Sequence, residues 1–207
     1  MVETSIIMDN PLLYFQMYAT CNIIETIHDF NQLFVLGVIG YLLSGLYDIA
    51  VLYRKTMVKW IFYPGFFITA LPYLWLFLEF RSPLPILVGI PLLIVMSVCM
   101  ILLIYSVLIE IPIHSVQPRK VYDRGTYRIS RHPGFLWYTL INVLIALYFW
   151  DISIALVCLA FIGCNLLLII VEDFVIFPKM FSDYGEYKQQ TPFLFSLRHL
   201  FHRRDRK

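Results

Sequence analysis

The sequence predicts an all-α polytopic membrane protein with about five transmembrane helices, the last two forming a tight hairpin. Three observations predict it. Of 207 residues, 60% are hydrophobic and only 14% charged, with a mean hydropathy of +0.75; a soluble domain carries about 25% charged residues. Five apolar segments reach or approach the roughly 20 residues that a spanning helix needs. Fifteen of the sixteen lysines and arginines then fall on one side of the resulting topology, as the positive-inside rule requires. This composition excludes disorder and an ordinary soluble domain. A net charge of +2 gives no footprint for nucleic acid.

The first 32 residues read as an N-terminal segment. Glu3 and Asp9 stand where a secretory signal would be basic. Pro11–Ile24 is apolar but short and broken by polar residues, which predicts an interfacial or re-entrant helix. Residues 33–109 supply three spans, Leu33–Tyr53, Trp60–Leu78 and Leu84–Ile109. Gly40 and Ser44 form a small-xxx-small pair suited to close helix contact. Pro64, Pro72 and Pro91 predict kinks in the second and third helices. Residues 110–207 carry two further spans, Gly134–Trp150 and Ile152–Val171, separated only by Asp151. Arg81 alone lies opposite the other basic residues, so the N-terminus is expected outside and the C-terminus in the cytosol. An integral protein of a bacterial inner membrane or of the endoplasmic reticulum fits equally.

Cys21, Cys99, Cys158 and Cys164 show neither CxxC nor zinc spacing and read as structural. The five histidines show no ligand grouping, so no metal is expected. Asp48 is the one ionisable residue well inside a span, a position that invites a functional reading. Its closeness to the helix end favours a simpler expectation, that it reaches interfacial Arg54 or Lys55.

The polar chemistry concentrates in two segments on one face, Glu110–Pro133 and Glu172–Lys207. In GTYRISRHPGFLW, Gly125 can adopt a conformation closed to other residues. Tyr127, Arg128, Arg131 and His132 bring a phenol, two guanidiniums and an imidazole to the membrane surface. Pro133 suits the first position of a helix, which makes His132 the N-cap and leaves free N–H groups for an anionic ligand group. The competing reading is a basic loop resting on anionic headgroups. Glu172 and Asp173 sit where the fifth helix leaves the bilayer; about 100° apart on a helix, only one is expected to face a site. Tyr184 and Tyr187 share a helical face, with Pro192 ending the turn, and read as an interfacial belt.

Gly125-x-Tyr127-x3-Arg131-His132-Pro133-x-Phe135 resembles the GxYxxxRHPxYxG signature of integral-membrane methyltransferases, the group of isoprenylcysteine carboxyl methyltransferases and phospholipid N-methyltransferases. Glu172–Asp173 resembles that family's acidic pair. Tyr184, Tyr187, Thr191, Pro192 and Phe195 resemble its YxxYxxxTPxxIP tail. The similarity covers the chain from Arg119 onward. It departs at Trp137, where the family has glycine and where a bulky ring would narrow a lipid-side opening. It departs again at Ser182, at Phe195–Ser196, and at Arg119, where the prenylcysteine enzymes have histidine.

The resemblance implies methyl transfer from S-adenosylmethionine to a lipophilic acceptor that enters from the bilayer among membrane lipids. The cytosolic connecting segments would form the cofactor site. Gly125, Tyr127, Arg131, His132, Pro133, Glu172, Tyr184 and Tyr187 would bind the cofactor, and Arg131, Glu172 and Asp173 would serve the chemistry. A carboxylate acceptor needs no general base; a protonated amine needs one, with Asp173 or His132 as candidates. Two other readings stand beside it. Sterol and steroid reductases share a related HPNYxGE pattern and use NADPH, but here Gly134 and Tyr138 occupy its Asn and Glu positions. A small membrane scaffold without catalysis also fits the altered tail.

Overall fold

The protein is described by a computed structural model covering residues 11–53, 62–110 and 120–194, with side chains from residue 31 in the first helix and from residue 64 in the second. The described residues contain helices and no strand. In chain order these are α1 (Pro11–Leu52), α2 (Phe62–Glu79), α3 (Ile86–Ile104), a π-helical turn (Tyr105–Glu110), a 3₁₀ turn (Gly125–Arg128), α4 (Pro133–Phe149), α5 (Ile152–Val171), a second π-helical turn (Glu172–Ile176), α6 (Phe177–Met180) and α7 (Tyr184–Gln190).

Among the described residues, three helical stretches are long and apolar enough to cross a membrane: Asn31–Leu52, Ile86–Glu110 and Ile152–Met180. Pro64–Glu79 and Pro133–Phe149 are apolar but shorter. The outer faces keep large apolar side chains exposed, among them Leu42, Leu87, Leu159 and Leu167. Apolar exposure on this scale fits an integral membrane protein, whose outer surface meets lipid. Pro11–Ile24 is not a separate helix; it runs without a break into the first candidate span.

Small residues set the helix spacing. A side chain at Gly40 would stand 2.8 Å from the Thr69 backbone nitrogen, and one at Gly65 would press on Leu43 and Ser44. The small-residue pair on α1 is therefore where α1 and α2 touch. From there α1 packs on α5, α5 on α4 and α4 on α3. Trp150 leaves α4 with φ +50°, and Asp151 starts α5 by accepting bonds from the N–H groups of Ser153 (2.8 Å) and Ile154 (3.0 Å). Leu76, Ile145, Ile154 and Cys158 form the dry centre of the bundle.

One polar cluster interrupts that apolar interior. Tyr41 of α1 donates to the hydroxyl of Tyr138 on α4, and Tyr138 is bonded in turn to Tyr73 of α2. Tyr73 donates to Asn142 Oδ1 at 3.0 Å, so the Tyr138 proton points to Tyr73. Asn142 Nδ2 closes the set on the Tyr138 carbonyl at 2.9 Å. Every hydroxyl proton in this relay is used, and Phe161 of α5 packs against the rings of Tyr41 and Tyr73. Polar bonds between helices in an apolar medium average about 0.6 kcal/mol. Tyr138→Phe breaks two links and Tyr41→Phe only one, so the first should cost about twice as much, on the order of 1 kcal/mol against 0.6. Equilibrium unfolding in mixed detergent micelles measures both.

Candidate functional site

The site forms where the C-terminal ends of α3 and α5 meet the chain that enters α4. Both ends widen from α to π geometry, which adds a residue to the turn and redirects side chains. Each π turn buries one carboxyl completely, Glu110 after α3 and Asp173 after α5.

Glu110 organises the loop before α4. Its Oε1 accepts the Thr126 N–H at 2.8 Å and the Tyr122 hydroxyl at 3.4 Å, and its Oε2 accepts the Thr126 hydroxyl. Gly125 adopts φ +54°, and a Cβ there would collide with the Glu110 carboxylate. The sequence signal for a special backbone at Gly125 thus has two causes, a left-handed conformation and a carboxylate against its α-carbon. The 3₁₀ turn that follows sends the Tyr127 hydroxyl to the Ser106 carbonyl at 3.1 Å. The Tyr127 carbonyl accepts the Tyr187 hydroxyl at 2.6 Å.

Asp173 holds the centre. Arg131 Nη1 donates to its two oxygens at 2.7 and 3.0 Å. Tyr184 donates to Oδ1 at 2.5 Å, and Lys188 Nζ lies 3.1 Å from Oδ2. Lys188 also sits over the Phe174 ring at 4.0 Å. These partners all donate, the arrangement an ionised carboxylate requires. The tail after α7 completes the wall. The Pro192 carbonyl accepts the Arg131 N–H at 3.0 Å, the Phe193 carbonyl accepts the Ser130 hydroxyl at 3.3 Å, and the Phe193 ring lies 5.4 Å from the Arg131 guanidinium.

His132 is the N-cap residue of α4 and Pro133 its first residue. The imidazole makes no capping bond. It lies between the two acids, with Nδ1 3.7 Å from Glu172 Oε2 and Nε2 3.5 Å from Asp173 Oδ1, and it stacks on Phe177. Both carboxyls therefore face the site, because the imidazole stands between them, and the expectation of only one is corrected. Burial pushes the His132 imidazole down to about 4, against the opposing pull of Asp173. Burial likewise raises the hydroxyls of Tyr127, Tyr184 and Tyr187. Tyr184 and Tyr187 are buried parts of the site, not an interfacial belt.

Gly125, Tyr127, Arg131, His132, Pro133, Glu172, Asp173, Tyr184 and Tyr187 thus lie in one cluster. Trp137 lies outside these contacts. Ser182 keeps an ordinary negative φ, so its backbone does not require the glycine of the related pattern. Arg119, Phe195 and Ser196 lie outside the described residues, as do Arg54 and Lys55. Among the described residues, Asp48 lies within electrostatic reach of Glu172. Lys188, Glu110 and Asp48 are the site residues that sequence reasoning missed. Lys188 was the most accessible of them, four residues after Tyr184 and on its face of the helix.

The unfolded imidazole titrates near 6.5 and the native one near 4, so unfolding takes up a proton between these values. The stability that neutral His132 contributes is present above pH 6.5 and is lost as pH falls toward 4. Between pH 7 and 4.5 the wild type should lose about 2–3 kcal/mol more than His132→Gln, measured by thermal unfolding in detergent. Searches with this chain found no matching family model, no matching curated protein and no matching solved structure.

Proposed function

We propose that the protein is a membrane-embedded methyltransferase that moves a methyl group from S-adenosylmethionine to a lipophilic acceptor at the cytosolic face. The observation that carries this reading is the meeting of three segments distant in sequence, Tyr127–Pro133, Glu172–Asp173 and Tyr184–Thr191, around one buried carboxylate. They meet beside the ends of long apolar helices. In this reading Pro64–Glu79 and Pro133–Phe149 complete five crossings, and α4 and α5 form a spanning hairpin. The N-terminus is outside and the C-terminus in the cytosol.

The residues fit such a cofactor. Arg131 Nε and His132 Nε2 are buried and have no hydrogen-bond partner among the described residues, and buried polar atoms left this way call for a ligand or water. Asp173 is neutralised by Arg131 and Lys188, so it fixes Arg131 in place and is not the group that meets substrate. The start of α4 after His132 and the remaining guanidinium edge of Arg131 would hold a carboxylate. Gly125 lets the backbone approach closely, and Tyr127, Tyr184 and Tyr187 supply aromatic wall. Bound S-adenosylmethionine supplies a methyl group on a positively charged sulfur. The work left to the protein is alignment and exclusion of water, the largest gains open to an in-line displacement. Glu172 has no lysine or arginine partner among the described residues, which leaves it to meet a cation.

Calorimetric titration of the detergent-solubilised full chain with S-adenosylhomocysteine, and with NADPH in parallel, tests the reading. S-adenosylhomocysteine should bind saturably and NADPH should not. The Arg131→Met/Asp173→Asn double variant, which leaves neither charge buried alone, should weaken binding by roughly tenfold or more. Binding of NADPH alone would favour a reductase, and binding of neither ligand by folded protein would favour a non-catalytic scaffold.

A further inference from the structure

Arg131 meets Asp173 through one corner only. An arginine–carboxylate pair is frequently forked, with two nitrogens donating in parallel to two oxygens. Here a single nitrogen, Nη1, reaches both Asp173 oxygens, at 2.7 and 3.0 Å. The Nε atom of the same guanidinium is buried and has no hydrogen-bond partner among the described residues. Arg131 is 8% exposed and Asp173 is fully buried. A dry N–H next to a dry carboxylate would ordinarily turn toward it, because a buried donor left unpaired is costly.

The other donors on Asp173 explain why it does not. A carboxylate offers about four lone-pair positions on its two oxygens. At Oδ1 they are taken by Arg131 Nη1 and by the Tyr184 hydroxyl at 2.5 Å. At Oδ2 they are taken by Arg131 Nη1 and by Lys188 Nζ at 3.1 Å. No position is left for Nε. Tyr184 and Lys188 stand one turn apart on α7, so one helix face delivers both donors. Lys188 is the less confined of the two, with 35% of its side-chain surface exposed. A lysine ammonium is strongly hydrated and rides on a flexible stem, so its easy course is outward into water. Its Nζ turns inward instead, 4.0 Å from the centre of the Phe174 ring, an approach that cation–π attraction favours.

We propose that Lys188 is a positioning residue: by filling Oδ2 of Asp173 it holds Arg131 by one corner and keeps the Nε edge open for the anionic group of a ligand. Lys188 does not touch that ligand; it acts through Asp173. This rests on the methyltransferase reading and deepens it, the anionic group there being the carboxylate of S-adenosylmethionine. Without Lys188 a lone pair on Oδ2 falls vacant. The guanidinium then turns, Nε pairs with Asp173, and the ligand loses its donor.

Two measurements on the detergent-solubilised full chain test this with Lys188→Met and Lys188→Arg. The first needs no ligand. Heteronuclear NMR observes the arginine side chains, and Arg131→Met identifies the Arg131 Nε–H signal. In the wild type that signal should show no coupling across a hydrogen bond to a carboxylate. In Lys188→Met it should move downfield and gain such a coupling, and Lys188→Arg should resemble the wild type. A wild-type Nε–H already bonded to a carboxylate overturns the proposal whether or not a variant folds, and so does a folded Lys188→Met with an unchanged signal. The second compares S-adenosylhomocysteine with its decarboxylated analogue by calorimetry. The wild type should prefer the first by roughly tenfold or more. Lys188→Met should lose most of that preference while binding the analogue as the wild type does, and Lys188→Arg should keep it. Equal weakening of both ligands would leave Lys188 a purely structural role and overturn the proposal. If neither ligand binds the wild type while the NMR result holds, the methyltransferase reading fails and the positioning role stands.

Discussion

A single buried carboxylate dictates the arrangement of the polar end of this molecule. Asp173 has no solvent exposure, and an ionised carboxylate without water is tolerated only when donors replace the water. Arg131, Tyr184 and Lys188 provide them. Arg131 stands just before α4, Asp173 in the π turn after α5, and Tyr184 and Lys188 on α7. Neutralising one charge therefore fixes three segments at once. The contacts between Pro192–Phe193 and Ser130–Arg131 then hold the tail against the start of α4.

The two π turns make this possible. A long apolar helix that continued in α geometry would keep its outer positions in lipid, where a carboxyl has no partner. At Tyr105–Glu110 and at Glu172–Ile176 the helix widens, and each turn buries an acid. Glu110 orders the loop carrying Gly125 and Tyr127, and Asp173 orders Arg131 and α7. Deeper in the bundle, the relay from Tyr41 through Tyr138 and Tyr73 to Asn142 ties α1, α2 and α4 together, so the frame that carries the acids is itself fixed by paired polar groups.

Much of this was legible from local pattern. Proline at the start of α4, the special backbone at Gly125, the shared face of Tyr184 and Tyr187, and the small residues on α1 all follow from spacing within a few residues. The missed features depend on distant partners. Asp48 reads as an interfacial charge until Glu172 is brought beside it by the packing of α1 on α5. Glu110 reads as the first residue of a polar connection, because nothing local shows that a glycine fifteen residues later will lie against it. The adjacent acids Glu172 and Asp173 read as diverging on an α-helix, and only a buried imidazole between them lets both face the site.

The central claim is that the Asp173 charge assembles the site, and a double-mutant cycle on Arg131 and Asp173 tests it most directly. The unfolding free energies of wild type, Arg131→Met, Asp173→Asn and the double variant would be measured in detergent. Removing Arg131 alone leaves a buried charge without its strongest partner and should cost about 3–5 kcal/mol. The double variant should cost less than the sum of the singles, with a coupling of about 2 kcal/mol or more. Singles that each cost under about 1 kcal/mol and simply add would contradict the claim, placing this pair with exposed ion pairs that organise nothing.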